Sequence, residues 1–86
     1  GIVPLKIFPN PVFETKSLLN LEIQGIDLES FQMVLTDVAG KEMLRETAVF
    51  MGKTACLDTK SLPAGAYLIQ IWQNGQIRLT GMVLKI

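Results

Sequence analysis

Short apolar runs recur along this chain at intervals of roughly ten residues, and each is closed by Gly, Pro, Asn or Asp. No stretch sustains the spacing of an amphipathic helix, whereas several segments alternate apolar and polar residues one by one. Leu19-Asn20-Leu21-Glu22-Ile23 alternates cleanly and predicts a strand with Leu19, Leu21 and Ile23 turned inward. Phe31, Met33 and Leu35 predict a second inward row. Many short strands packed in layers are the arrangement that suits this rhythm. The 86 residues are enough for one domain, spanning 1–86, and an apolar content of 49% supplies a core for it.

One segment narrows the choice among all-β folds. Leu62-Pro63-Ala64-Gly65-Ala66-Tyr67 runs directly into the apolar strand Leu68-Ile69-Gln70-Ile71-Trp72. A Tyr at the start of a strand, just past such a corner, can send its hydroxyl back to an upstream backbone group. That combination marks the crossing from one sheet to the other in a sandwich of the immunoglobulin type. The expected fold is therefore all-β, an immunoglobulin-like or fibronectin-like antiparallel β-sandwich of about seven strands.

The remaining turns place the strands. Leu5-Lys6-Ile7-Phe8 reads as a strand stopped by Pro9-Asn10-Pro11, because neither proline offers an amide donor to a ladder. Gly25 to Ser30 reads as a loop. Asp37-Val38-Ala39-Gly40-Lys41 reads as a tight hairpin, in which Asp bonds its own downstream amides and Gly takes positive φ. The return strand runs from about Glu42 to Phe50. Met51-Gly52-Lys53 turns into a short strand from Thr54 to Asp58.

The last hairpin sets a register problem. On the first arm Tyr67, Ile69 and Ile71 share one face, and on the second Ile77, Leu79 and Val83 share one. A two-residue Asn74-Gly75 loop would pair Ile71 with Arg78 and put the two apolar rows on different faces. The expectation is therefore a three-residue loop, Gln73-Asn74-Gly75, pairing Ile71 with Ile77 and Ile69 with Leu79. Its turn would be type I, with a bulge at Gly75. Trp72 then faces outward beside the turn as an edge aromatic.

The chemistry of the chain is sparse. It has no His, the commonest general base and metal ligand, and one cysteine. Cys56, in the run Ala55-Cys56-Leu57, is expected to be a buried, inert thiol. Ser17, Ser30 and Ser61 have no plausible base beside them in sequence. Asp27 and Glu29 share a loop, and Asp37 and Asp58 lie near turns, but none of these matches a calcium loop or a facing carboxylate pair beside a cleft. No catalytic, cofactor-binding or metal-binding residue is assigned, and the domain is read as a non-enzyme. Eight acidic residues balance eight basic ones, so the field that draws nucleic acid is lacking. No apolar window of about 18 residues calls for direct membrane insertion. The chain opens Gly1-Ile2-Val3-Pro4 without Met or a signal peptide and reads as a fragment of a larger secreted protein, Gly1 being a tag remnant.

Taken in order, the turn motifs resemble a known family: the C-terminal sorting domains, type A, of proteins exported by the type IX secretion system of Bacteroidetes. Ile7-Phe8-Pro9-Asn10-Pro11-Val12 resembles that family's opening aromatic–Pro–Asn–Pro segment. Met33-Val34-Leu35-Thr36-Asp37 with Gly40-Lys41 resembles its central strand, Asp and Gly-basic turn. Leu62-Pro63, Gly65 and Tyr67-Leu68 resemble its Leu–Pro–x–Gly–x–Tyr segment, and Asn74-Gly75 with a final strand carrying Lys85 resembles its terminal hairpin. Arg78 and Lys85 stand apart here and the chain ends on apolar residues, where many members carry clustered basic ones.

The resemblance implies a non-catalytic address on a secreted cargo protein. Its signal motif would comprise Pro9, Asn10, Pro11, Asp37, Gly40, Lys41, Leu62, Gly65, Tyr67 and Lys85. It implies recognition in the periplasm by outer-membrane translocon or shuttle components, removal by a sortase-like peptidase, and a secreted or cell-surface destination. No cofactor follows from it. Within this reading the last hairpin, with Lys85, is expected to be the recognition surface, since a sheet edge can accept or donate a strand. An exposed edge also invites an edge-strand dimer. The competing readings are a generic immunoglobulin-like spacer or adhesion module, and a carbohydrate-binding module using Trp72.

Overall fold

The computed structural model describes residues 5–13, 17–23, 30–49 and 52–86. Among these, seven strands follow one another: β1 (Leu5–Phe8), β2 (Leu18–Ile23), β3 (Ser30–Asp37), β4 (Glu42–Val49), β5 (Thr54–Asp58), β6 (Gly65–Gln73) and β7 (Gln76–Lys85). They form two antiparallel sheets, β1-β2-β5 and β4-β3-β6-β7. This is the all-β sandwich the sequence predicts, and the chain crosses between sheets at the corner joining β5 to β6. The expected loop at 25–29, with Asp27 and Glu29, lies outside the described residues, as do Phe50 and Met51.

Alternation places the core. Leu19, Leu21 and Ile23 of β2, Phe31, Met33 and Leu35 of β3, and Tyr67, Ile69 and Ile71 of β6 are all buried. They form one cluster with Val12, Ala55, Leu57, Leu62 and Val83, and Leu5, Ile7 and Leu79 pack against it. At roughly 1.5–3 kcal/mol for each large aliphatic removed from water, these side chains provide the main drive to fold.

Two expectations need correction. The last hairpin closes through a two-residue loop: Asn74 (φ 52°) and Gly75 (φ 75°) both take positive φ, and Gln73 pairs with Gln76. This is a type I′ turn, the form Asn-Gly prefers because its twist matches the flanking strands. The register conflict is resolved further along. Trp72 pairs with Ile77, but Ile71 pairs with Leu79, so Arg78 is an extra residue bulged out of β7. Beyond the bulge Leu79, Gly81, Val83 and Lys85 face Ile71, Ile69, Tyr67 and Gly65. Ile77, 45% exposed, is left on the outer face with Trp72.

The type I turn with a glycine bulge occurs in the β3–β4 hairpin instead. The Gly40 N–H donates to Asp37 O (3.0 Å) and the Asp37 N–H to Lys41 O (2.9 Å), with Gly40 at φ 86°. The second correction is Cys56. Its neighbours Ala55 and Leu57 are buried, so strict alternation turns Cys56 outward, where it is exposed. Its Sγ donates to Asn20 Oδ1 (3.3 Å), its cross-strand partner.

Candidate functional site

The Pro-Asn-Pro segment lies along the edge of β7. The Asn10 Nδ2 donates to Met82 O (3.0 Å), and the Leu84 N–H donates to Asn10 Oδ1 (3.1 Å). One residue on, the Val12 N–H donates to Leu84 O (2.7 Å) and the Ile86 N–H to Val12 O (2.8 Å), a parallel bridge with Val12 opposite Lys85. Pro9 and Pro11 have no amide hydrogen, so the backbone cannot donate at either position. The Asn10 carboxamide carries both a donor and an acceptor and does the work of a peptide unit there.

The corner between β5 and β6 is closed by two buried groups. The Tyr67 hydroxyl donates to Pro63 O, four residues upstream, as expected of a tyrosine at such a corner. From β7 the Lys85 ammonium donates to Thr59 O (2.5 Å) and Leu62 O (2.6 Å). Lys85 is 2% exposed. A buried ammonium is tolerated only where oxygens replace its water shell, and carbonyls of the corner supply them. Thr59, also fully buried, ties the same corner to the entry of β2: its N–H (2.9 Å) and Oγ1 (2.6 Å) both donate to Ser17 O.

The β3–β4 hairpin joins the same end of the sandwich. The Asp37 Oδ1 accepts the N–H groups of Ala39 and Lys41, both at 2.9 Å. Asp37 also lies opposite Tyr67, which lies opposite Val83. The ten expected motif residues are thus gathered around one end of the molecule. Pro9, Asn10 and Pro11 cover β7 from outside. Leu62, Gly65, Tyr67 and Lys85 lock the corner, and Asp37, Gly40 and Lys41 close the adjoining turn.

Tyr67 gives this end a pH signature. Burial, and secondarily the negative charge of Asp37, push its phenol above the ordinary value of 10.0. A raised folded-state pKa contributes stability that is complete below that value and is lost as the pH climbs through the folded one. The domain is therefore expected to lose stability above about pH 10. Tyr67 is the only tyrosine, so absorbance near 295 nm reports it alone, and Asp37→Asn should move its midpoint part of the way down. A midpoint at or below that of a free tyrosine would contradict the closed corner.

With the geometry in place, comparison with known families is decisive. The family described as secretion system C-terminal sorting domain matches residues 6–85. The chain belongs to that family. No curated protein and no solved structure matches it. The domain is accordingly a sorting signal for type IX secretion, a pathway in keeping with Bacteroidetes, and its destination is the cell surface or the exterior. Sorting domains of this kind engage the secretion machinery and are generally non-catalytic.

Within the sorting domain two sequence expectations change. The resemblance puts Lys85 on an exposed recognition surface, yet alternation beyond the Arg78 bulge turns it inward, and the corner carbonyls hold it there. Ser17 does have a carboxylate beside it: its Oγ donates to Asp58 Oδ1 (2.8 Å). That bond, followed by the Lys60 N–H and the charges of Lys60 and Lys85, holds Asp58 below the usual carboxylate range, which makes it a poor base. Val12 and Thr59 are the participants that sequence reasoning missed. Val12 carries its signal in the motif itself, as an aliphatic just past the second proline. Thr59 stands in a polar turn with no pattern to mark it.

Proposed function

We propose that the secretion machinery reads this sorting domain through the outward row Met82 and Leu84 of β7 and Ile86 just past it. Lys85 serves the signal from inside, by holding that row in place. The observation that carries this is the contrast between three consecutive residues: Lys85 is 2% exposed, between Leu84 at 48% and Ile86 at 55%. Met82 is also exposed, at 57%. A contiguous apolar surface of this kind is what a protein partner buries. The partners are outer-membrane translocon or shuttle components, met in the periplasm, and then a sortase-like peptidase that removes the domain. The domain itself contributes no catalysis.

The test is a periplasmic reporter fused to the domain, with Met82→Glu and Leu84→Glu introduced together. Both side chains point to solvent, so the melting temperature should hold while most surface export is lost. Unchanged export from a folded double variant would end this reading.

A further inference from the structure

β7 is an edge strand of its sheet, and edge strands present unpaired backbone groups that invite another strand. Even-numbered residues past the bulge point those groups away from β6: Leu84 directs both its N–H and its C=O to the Asn10–Val12 segment. Four bonds, from Met82 O to the Ile86 N–H, are satisfied by that short segment. Two are made by a single side chain, that of Asn10. A strip held by the Asn10 side chain, one residue of true strand and the buried Val12 side chain is a short closure on an edge that could accept a full strand.

We infer that Pro9–Phe13 is a strap closing a strand-addition site on β7, with Asn10 as its latch. When the strap lifts, Met82–Ile86 pair with an extended peptide segment of the secretion machinery in its place. The inference rests on the sorting-signal reading for the identity of that partner. The site itself describes what would fit. The incoming segment needs backbone donors and acceptors where Asn10 and Val12 now provide them. It needs an aliphatic of about valine size in the fully buried position that Val12 occupies. Its outward side chains would lie against the exposed Leu84 and Ile86, so an apolar segment is favoured over a charged one. Because the strap is covalently attached, it competes at high effective concentration, and the apparent affinity for a free segment falls with the fraction of open molecules.

The probe is a fluorescein-labelled peptide with the sequence Ile7-Phe8-Pro9-Asn10-Pro11-Val12-Phe13, titrated by anisotropy against the whole chain. Asn10→Ala removes two bonds from the strap and should bind the peptide about tenfold or more tightly than the wild type. The Leu84 amide should exchange its hydrogen faster in the variant. Should Asn10→Ala unfold, Asn10→Ser offers a milder opening with the same expected order of affinities. Equal binding by variant and wild type, or no binding by either, would overturn the strap, and self-association of the variant without peptide capture would overturn the choice of partner. Export of a reporter carrying the wild-type domain is scored separately. Its failure would sink the sorting-signal reading and with it the partner's identity, while the peptide titration still decides whether the gated edge exists.

Discussion

Lys85→Ala is expected to destabilise the sorting domain by about 2–5 kcal/mol, the size seen when a long buried side chain is truncated. Two effects add. The aliphatic stem leaves a cavity against the core, and the Leu62 and Thr59 carbonyls lose their ammonium donor. Small domains are stable by only about 5–15 kcal/mol in total, so the variant should sit near the edge of folding. Urea unfolding followed by the fluorescence of Trp72, the only tryptophan, measures it. Lys85→Met, which fills the slot without the charge, should cost less, about 1–3 kcal/mol. Lys85→Arg separates the two roles a basic residue could play. It keeps the charge but brings a larger planar head into a slot closed by two carbonyls, so export should fall despite the conserved charge. Full export by Lys85→Arg, or a loss below about 1 kcal/mol in Lys85→Ala, would return Lys85 to the surface role that its position in the motif suggests.

The difference between those two roles shows where sequence reading stops. The inward rows of β2, β3 and β6 were legible because strict alternation carries its own geometry, as Leu19, Leu21 and Ile23 show. The corner was legible because Leu62-Pro63-Ala64-Gly65-Ala66-Tyr67 sets a tyrosine just past a Pro-Gly corner, from which its hydroxyl reaches back to Pro63 O. What could not be read was the bulge itself. A three-residue loop, and a two-residue loop followed by a bulge, both turn Leu79 and Val83 inward; only the second, with Arg78 as the extra residue, leaves Ile77 on the outer face. Lys85 has the parity of Val83, so alternation alone turns it inward, and it is its charge and its place in the motif that point to the surface. Cys56 was misplaced for a related reason: composition suggested burial for an apolar triplet, while pairing with Asn20 on a two-faced strand decides it. Of the site, the membership of the motif was visible but its convergence was not. Asn10 and Met82 are 72 residues apart, and nothing local announces a side chain that stands in for a strand.

Gly81→Val is expected to destabilise the domain by about 2–3 kcal/mol, the upper part of the range for overpacking a core. Gly81 lies opposite Ile69 on the inward face of β7, where β1 of the other sheet comes closest. A Cβ there would stand 2.5 Å from Ile7 Cδ1, 3.3 Å from Leu5 Cδ2 and 3.4 Å from Ile69 Cγ2. The nearest atom is the tip of a half-buried side chain, so Ile7 can turn aside for one methyl group. Gly81→Ala should therefore stay within about 1 kcal/mol of the wild type, helped by the lower entropy of its unfolded chain. Valine adds two further carbons, and Leu5 and Ile69 block the space into which Ile7 would move. The strain falls on β1, an edge strand, whose amides should exchange hydrogen faster than those of β2. Ile7→Ala in the Gly81→Val background should recover part of the loss, a coupling that a double-mutant cycle isolates. If the two substitutions simply add, the close approach of β1 to β7 is not what makes glycine necessary at this position.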